Sequence, residues 1–364
     1  MMNKSINFSI SLFKLMLSFE PIWFDSMGAK SSCTLVKTPD VSIVIDPGIA
    51  AMQPSFPASK TKKLYWKKVA KRKIIKACRK ADVIIISHYH HDHYIYDDFS
   101  IYENKLLLIK NPNEYINDTQ RRRAEEFYEK LFTKYGKRGM ELKKNRKGKN
   151  KASYPNPLDE LQIAVSKNFG SYEKRREELL KKGMKWFYSK VRKWREYEKI
   201  PDGKLDGIEI KYAEGKVINF GKTKIRFTKP LFHGIEFSKV GWVFSTIIEY
   251  ESQKIIHTSD LNGPIIEDYA DWIIKENPDI LILDGPPTYM LGYMLNKINL
   301  ERAIKNVIKI MEEIDGMTIY DHHLPREKKF REHTKEVWEY ASKKGKRLLT
   351  AADYMGKKPI VETL

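Results

Sequence analysis

A histidine-rich loop directly after a buried strand restricts the fold of this chain more than any other feature. Residues 82–86 read DVIII, an apolar run with the length of a fully buried β-strand. The next residues, SHYHHDHY, place His88, His90, Asp92 and His93 in the spacing His-x-His-x-Asp-His. Imidazole nitrogens and carboxylate oxygens are the ligands that zinc and similar metals take at catalytic sites. The spacing therefore predicts a metal site at the end of a strand.

A loop is the local structure that suits this spacing. His88 and His90 can converge on one ion while Asp92 and His93 turn to a second ion nearby, which neither a straight strand nor a straight helix allows. His91 is expected to point away from both ions. A hairpin loop with incidental histidines is the alternative. We disfavour it because four of the nine histidines of the chain lie in this loop.

The remaining sequence alternates between strand and helix patterns. Apolar β-rich runs predict strands over residues 34–37, 41–46, 82–86, 103–110, 208–212, 216–220, 224–228, 242–250, 254–260, 279–284, 317–321 and 347–350, with a further strand and loop from Met16. Helical spacing predicts helices over residues 60–80, 119–138, 171–199, 264–277, 299–314 and 326–345. Strands mixed with helices in this order predict two sheets with helices on their outer faces.

The composition fits a cytoplasmic globular protein. Cys33 and Cys78 are the two cysteines and lie far apart, so a disulfide framework is not expected. No apolar run reaches the length of about eighteen residues that a membrane helix needs, and no membrane partner is expected. Residues 1–15 begin like a signal peptide, but Lys14 interrupts the apolar stretch and no cleavage site follows. We expect them to be an extra segment before a domain that spans residues 16–364.

The net charge of +20 is unevenly distributed. Residues 121–200 contain 25 Lys and Arg against 11 Asp and Glu. We therefore expect a basic helical insertion over residues 112–205 within the larger domain. Such a charge is typical of proteins that bind nucleic acid or phosphorylated metabolites, although lysine-rich solvated faces produce the same balance.

Aromatic residues of the insertion allow two interpretations. Trp186, Phe187, Tyr188 and Trp194 alternate with lysines and arginines. Base stacking combined with phosphate contacts is how many proteins hold single-stranded nucleic acids. An amphipathic helix that packs its aromatic side chains against the sheets has the same pattern, and we favour this second interpretation.

The histidine loop resembles the signature of the metallo-β-lactamase superfamily, and the superfamily's other motifs have counterparts here in the same order. They are Asp46 in IVIDPG, His233 in PLFHGIEF, Asp260 in IIHTSDLNG and His322 in TIYDHHLPRE. The resemblance covers residues 46–326. It implies an α/β (α+β) fold, a four-layer αββα sandwich with a dinuclear site between the sheets.

The chain also resembles a narrower group, an uncharacterised and mainly archaeal branch of predicted metallo-hydrolases. The segments that carry this resemblance are DPGIA, INDTQRRRAEEF, DILILDGPPTYMLGY and DHHLPRE. It implies a fold and a site but no substrate. Residues 135–200 depart from that branch in being longer and more basic.

The resemblance also implies ligand roles. One metal ion would be held by His88, His90 and His233, a second by Asp92, His93 and His322, and Asp260 would bridge both. A hydroxide shared by the two ions would be the nucleophile. Zinc is the preferred metal, and manganese or iron suit the same ligands.

Two adjacent histidines compete for the last ligand position. His322 is favoured over His323 because the strand MTIYD ends directly before it, and because Arg326 follows at the spacing of superfamily members that cut RNA. His323 would then support a ligand or donate a proton to the leaving group. Asp92, Asp260 and His323 are thus the residues expected to take part in catalysis.

Other polar residues near the motifs receive weaker assignments. Asp46 is expected to accept hydrogen bonds that orient the histidine loop, although turn chemistry also explains it. His257 is expected to pack beside Asp260, and His333 is expected to lie on the surface. Asp284 is expected to stabilise the turn that follows its strand.

These observations predict a metallo-hydrolase that acts on an ester or phosphodiester bond of a small-molecule or larger substrate. A ribonuclease or RNA-processing protein that uses the basic insertion is one alternative. A metal-stabilised nucleic-acid-binding protein without activity is another. The chain contains no G-x-S-x-G motif and no phosphate-binding glycine loop, so neither a serine nucleophile nor a nucleotide site is indicated.

Overall fold

The computed structural model describes residues 16–136 and 152–364 of the chain. The predicted extra segment, residues 1–15, lies outside the described residues, as does part of the basic insertion, residues 137–151. Among the helices of the described ranges, none combines the length and the apolar composition that a membrane span requires.

Short runs rich in valine and isoleucine form the strands. The first sheet contains β1 (Ser18–Phe24), β2 (Ser32–Lys37), β3 (Ser42–Ile45), β4 (Val83–Ile86), β5 (Lys105–Ile109), β6 (Gly203–Leu205) and β7 (Ile208–Tyr212). The chain continues with β8 (Val217–Phe220), β9 (Thr223–Phe227), β10 (Leu231–Phe232), β11 (Trp242–Val243), β12 (Thr246–Tyr250), β13 (Gln253–His257), β14 (Ile280–Asp284), β15 (Met317–Asp321) and β16 (Leu348–Leu349). Of these, β10 and β11 form a separate two-stranded ladder and the others form the second sheet.

Both sheets are mixed. The strand order is β1-β2-β3-β4-β5-β7-β6 in the first sheet and β16-β15-β14-β13-β12-β9-β8 in the second. Strands β3, β4, β5 and β7 run parallel, and so do β13 to β16. Loops that leave the carboxyl ends of parallel strands meet at one edge of a sheet, where ligand sites usually form.

The described residues form nine helices, and the six that have ten or more residues coincide with segments of helical apolar spacing. The nine are α1 (Lys60–Lys80), α2 (Asp118–Tyr135), α3 (Gln162–Ser166), α4 (Glu173–Glu196), α5 (Glu267–Glu276), α6 (Lys297–Glu313), α7 (Phe330–His333), α8 (Lys335–Lys344) and α9 (Ala351–Tyr354). Side-chain caps begin several of them. Ser59 accepts a hydrogen bond from the backbone of Lys62 at the start of α1, and Asn296 accepts one from Asn299 at the start of α6.

Three apolar clusters show how the layers pack. One cluster joins inward-facing residues of both sheets, including Ile43 and Ile85 from the first sheet and Ile255 and Ile319 from the second. A second cluster joins the outer face of the first sheet to α1, α2 and α4, and a third joins the outer face of the second sheet to α5, α6 and α8. The predicted four-layer αββα sandwich is therefore confirmed.

One predicted helix was wrong in its extent. Residues 326–345 do not form a continuous helix, because the backbone leaves helical geometry at Thr334, between α7 and α8. The Thr334 hydroxyl donates to the carbonyl of Phe330 and accepts from Trp338 Nε1. A side chain that bonds to the backbone of the preceding turn competes with helical hydrogen bonding. Arg326 lies outside both helices, in the 3₁₀ turn Leu324–Arg326.

The aromatic residues of the basic insertion pack mainly inward. Phe187 and Trp194 are fully buried, and Trp186 stacks on Trp242 with ring centroids 5.3 Å apart. Trp194 Nε1 donates to the carbonyl of Ile116 over 2.8 Å. Tyr188 is 46% exposed. The described part of the insertion is thus attached to the core by its aromatic side chains, while its boundaries at 112 and 205 remain a prediction.

We expect Trp194→Ala to lower the free energy of unfolding by about 3–5 kcal/mol, because it opens a large cavity and leaves a buried carbonyl unpaired. Tyr188→Ala on the same helix is the matched control and should cost less than about 1 kcal/mol, since its ring is exposed. Denaturant titration followed by circular dichroism measures both values. Equal losses in the two variants would contradict this packing of α4.

Candidate metal centre

The histidine loop leaves the carboxyl end of β4 and is held against the connection between β3 and α1. His88 and His93 are completely buried. The backbone N–H of Ile49 donates to the carbonyl of His91 over 3.1 Å. Nε2 of His88 lies 3.0 Å from Nδ1 of His90. These two ring nitrogens therefore face the same small space.

Three more of the predicted ligands reach this space from loops in the C-terminal half of the chain. His233 follows β10, Asp260 follows β13, and His322 follows β15. Oδ2 of Asp260 lies 3.0 Å from His233 Nε2, and its Oδ1 lies 3.5 Å from His322 Nε2.

The histidine loop meets the same carboxylate. Oδ2 of Asp260 lies 3.4 Å from His88 Nε2 and 3.2 Å from His93 Nε2. Loops from the two sheets thus meet around one buried carboxylate.

The convergence forms three overlapping groups whose potential ligand atoms lie within 4.8 Å of one another. The groups are His88, His90, His233 and Asp260; Asp92, His93 and His322; and Asp260, His322 and His323. All seven residues predicted from the sequence as metal ligands are therefore brought together, and His323 joins them. Their assignment to individual ions remains a proposal.

Several of the converging atoms have no hydrogen-bond partner, which is the test of whether a cation fits. Both carboxylate oxygens of Asp260, Nε2 of His93 and Nε2 of His322 are buried and unpaired among the described residues. Buried polar atoms are normally satisfied, and a buried carboxylate without a partner is costly. These atoms are oxygen and imidazole donors that suit zinc, manganese or iron. The residues present therefore fit divalent metal ions.

Asp46 orients the histidine loop by accepting hydrogen bonds. His93 Nδ1 lies 2.9 Å from Oδ2 of Asp46, so the opposite nitrogen, Nε2, faces Asp260. Ser87 donates to the same carboxylate through its backbone N–H over 2.8 Å and through its hydroxyl over 2.7 Å. A carboxylate that holds one ring nitrogen fixes the tautomer and the direction of the other.

Asp25 has the same relation to His322, and sequence reasoning missed it. His322 Nδ1 lies 3.1 Å from Asp25 Oδ1, and the guanidinium of Arg326 donates to Oδ2 of the same carboxylate. Burial alone would raise the pKa of Asp25, but Arg326 and His322 offset it and lower the pKa to about 2. Its position directly after the apolar strand β1, like that of Asp46 after β3, is a signal that could have found it.

The electrostatics of the metal-free site favour protons on two of the histidines. Burial lowers the pKa of His322, but the carboxylates of Asp25 and Asp260 outweigh it and raise the pKa to about 10. Burial likewise opposes the charged form of His93, yet Asp260 and Asp46 raise its pKa well above the usual range. Without metal, protons on these rings balance the buried carboxylates.

Backbone with positive φ at the strand ends directs side chains into the site. Asp46, Ser259, His322 and His323 all have positive φ, at 50°, 55°, 35° and 50°. Such conformations cost non-glycine residues about 1–3 kcal/mol each and persist where the surroundings fix them. Each occurs at or just beyond the end of a parallel strand, where the chain must turn sharply to direct a side chain into the site.

Other histidines take different positions. His91 stacks on Tyr96 with ring centroids 4.4 Å apart and is in none of the metal-competent groups. His257 Nε2 lies 3.0 Å from the carbonyl of Ser32, so this histidine is bound to backbone. His333 is half-buried, with Nδ1 2.9 Å from Glu327 Oε1.

Comparison with known proteins gives the family. A model of the metallo-beta-lactamase superfamily matches residues 28–95, which include Asp46 and the histidine loop. The UPF0282 protein of Methanocaldococcus jannaschii is 32% identical over 325 residues and 86% of each chain is covered. The chain belongs to the UPF0282 family. A UPF0282 protein of Methanopyrus kandleri is 29% identical over 353 residues, with 93% of each chain covered.

The predicted membership in an archaeal branch of the metallo-β-lactamase superfamily is therefore confirmed. Solved structures resemble this UPF0282 protein only distantly. YhfI of Bacillus subtilis, described as a metallo-beta-lactamase fold protein, has a TM-score of 0.41 and 15% identity, with 89% of this chain and 93% of that chain covered. A likeness of that strength does not bear on activity.

We expect Gly48→Ala to weaken metal binding at least about tenfold, the usual effect of displacing groups that support metal ligands. A Cβ at this position would lie 2.0 Å from the backbone nitrogen of His93, so the loop must shift. Gly316→Ala is the control, because its Cβ would lie 2.1 Å from the carbonyl oxygen of Pro278, a comparable clash at the amino ends of β14 and β15 and away from the ligands. Metal titration of both variants measures the effect, and equal affinities would contradict the described contact.

Metal binding should release about one to two protons per chain at neutral pH. The nearby carboxylates raise the pKa of His322 to about 10 and that of His93 above its usual range, and each ring must lose its proton to bind a cation. Affinity should fall as the pH falls, since protons then compete more strongly. Calorimetric zinc titrations in buffers of different ionisation enthalpy measure the release. A binding enthalpy independent of the buffer would overturn the expectation.

Proposed function

We propose that this UPF0282 protein is a dinuclear metal-dependent hydrolase that acts on an ester or phosphodiester bond. The observation that carries the proposal is the meeting of ligand atoms from both sheets around Asp260, with both of its oxygens buried and unpaired. Membership in a superfamily that includes hydrolases supports the same conclusion.

The two halves of the ligand set suit two ions. His88, His90 and His233 would hold one of them, and Asp92, His93 and His322 the other, with Asp260 between. Two bound divalent cations supply Lewis acidity, which lowers the pKa of water and stabilises negative charge that develops on a substrate oxygen.

His323 and Asp284 form a pair that can hold and move one proton. His323 Nδ1 lies 3.3 Å from Asp284 Oδ2, and its Nε2 lies 3.8 Å from Asp260 Oδ2. Burial and the nearby Arg326 lower the pKa of His323, whereas burial and Asp260 raise the pKa of Asp284. These opposite shifts favour the proton on Asp284 over His323, so His323 would pass a proton from Nε2 to a leaving group and regain one at Nδ1.

Positive charge beside the site favours an anionic substrate. Arg326 is buried and its Nη2 lies 3.5 Å from Asp92 Oδ2. Lys30, which sequence reasoning missed, is half-buried in the connection between β1 and β2. Burial and Arg326 lower the pKa of Lys30 more than Asp92 and Asp25 raise it, so its ammonium group is within electrostatic range of these charged residues. A phosphodiester would be attracted by this charge more strongly than a neutral ester.

The ribonuclease or RNA-processing alternative remains a prediction. Phe187 and Trp194 cannot stack on bases because both are fully buried, which leaves Tyr188 as the exposed aromatic residue among the four. Exposed lysines and arginines of α4 remain available for phosphate contacts. Binding to single-stranded RNA that weakens steeply with salt would be required for this alternative.

The proposed activity is tested with bis-p-nitrophenyl phosphate and p-nitrophenyl acetate. We expect the zinc-loaded or manganese-loaded protein to hydrolyse the phosphodiester, and His90→Ala to reduce kcat/KM by about 10³-fold or more, the scale of losing a metal-held nucleophile. His91→Ala is the matched control in the same loop and should retain activity within about twofold, since surface-type changes have small effects.

Circular dichroism confirms that both variants fold. Equal activity in the two variants, or turnover that persists after chelation, would refute the proposed site. If only p-nitrophenyl acetate were hydrolysed, the proposal of a hydrolase would stand, but the proposed preference for phosphodiesters would be wrong.

A further inference from the structure

A cavity of about 530 Å³ lies away from the metal centre, between β1, α1 and the C-terminal segment that follows α9. None of the residues that line it belongs to the metal-competent groups. Its volume is within the range of about 300–1,000 Å³ that small-molecule sites occupy. The superfamily signature and the proposed hydrolase activity use no part of it, so its role is a separate question.

The inner wall of the cavity is apolar and aromatic. Ile22 and Trp23 contribute from β1, and Trp66, Val69 and Ala77 contribute from α1. Ile22 and Trp23 are themselves buried, and Trp66 is half-buried. Such a wall binds the apolar part of a ligand by removing its surface from water.

The rim of the cavity is strongly basic. Six lysines line it, and the single acidic residue among the lining residues is Glu20. The lysines are Lys37, Lys73, Lys76, Lys80, Lys357 and Lys358. All six are exposed, and none forms an ion pair with a carboxylate in the part of the chain that the structure describes.

One of these lysines already contacts the aromatic wall. Nζ of Lys73 lies 5.4 Å from the ring centroid of Trp23, which is within cation–π range. The ammonium group is thus placed at the boundary between the apolar wall and solvent. An anionic group bound there would sit directly above the aromatic surface.

We propose that this cavity binds an amphipathic anion, a molecule with an apolar or aromatic body and a single carboxylate, phosphate or sulfonate group. The apolar wall recognises the body, and the unpaired lysines recognise the charge. A neutral amphiphile would leave the lysines uncompensated, and a cation would be repelled by them. The proposal does not depend on the proposed hydrolase activity.

Nucleic acid is the main competing occupant of a lysine-rich surface. It would use the whole basic face of α1, which has no acidic residue in its 21 positions. Lys68 and Arg72 on that helix are exposed but do not line the cavity. A polyanion would therefore respond to their removal as much as to removal of the lining lysines, whereas a ligand inside the cavity would not.

The test uses 8-anilinonaphthalene-1-sulfonate, which is an aromatic body with one sulfonate. We expect one saturable site per chain by fluorescence titration of the full-length protein. The double variant Lys73→Gln/Lys76→Gln should raise the Kd at least about fivefold, because two charges next to the bound sulfonate are lost. The matched control, Lys68→Gln/Arg72→Gln, removes the same charge from the same helix and should change the Kd less than about twofold.

Competition separates recognition of charge from general hydrophobic binding. Decyl phosphate should displace the probe at a concentration at least about tenfold lower than decanol, because decanol has the same chain without the charge. Thermal unfolding of each variant, measured with bound metal, establishes that the fold is intact.

Three results would overturn the proposal. They are equal effects of the two double variants, equal displacement by decanol and decyl phosphate, and the absence of saturable probe binding. The first result would instead indicate that the whole basic face of α1 attracts anions, and the second a purely apolar site.

Discussion

The structure depends on one buried carboxylate that faces histidines from both sheets. Asp260 is fully buried, and its two oxygens accept no hydrogen bond among the described residues. A carboxylate in that position is stable only with positive charge next to it. In the metal-free protein, protons on His93 and His322 supply that charge, and metal ions would replace them. The same carboxylate thus lies where loops of the two sheets meet, and it defines the chemistry of the site.

Carboxylates at the ends of two strands of the first sheet direct the histidines. Asp46 holds His93 and Asp25 holds His322, each through the ring nitrogen that faces away from Asp260. The two aspartates therefore play the same role for histidines on different sheets. Arg326 also binds Asp25 and lies beside Asp92, so it helps to keep these carboxylates ionised and in place.

The positive charge of the chain is divided among separate regions with different surroundings. Arg326 lies beside the metal centre, where the carboxylates of Asp25 and Asp92 hold it. The exposed face of α4 carries lysines and arginines over a helix whose aromatic residues are bound in the core. The lysines of the cavity beside α1 form no ion pair with a carboxylate of the described residues, and they surround an apolar wall. Net charge alone therefore indicates affinity for anions but not where they bind.

Local sequence patterns were sufficient to predict features that depend on residues close together in the chain. The apolar run before His88 and the dense histidine spacing predicted a strand and a metal-competent loop, because ligands a few residues apart share one turn of the chain. The periodic spacing of apolar residues and the turn residues between these segments predicted most strands and helices. The alternation of these elements predicted the four layers. The break at Thr334 was missed because it depends on hydrogen bonds of a single buried hydroxyl to residues of neighbouring turns.

The sequence by itself thus determined the elements, the histidine loop and, through resemblance, the residues His233, Asp260 and His322 that meet it. Only the tertiary structure decided that Asp25 holds His322, because its position after an apolar strand does not show which residue of a distant loop it will contact. It also decided which aromatic residues of α4 are buried and which lysines of α1 line a cavity. These properties depend on contacts between segments that are far apart in the chain, and local patterns carry no information about such contacts.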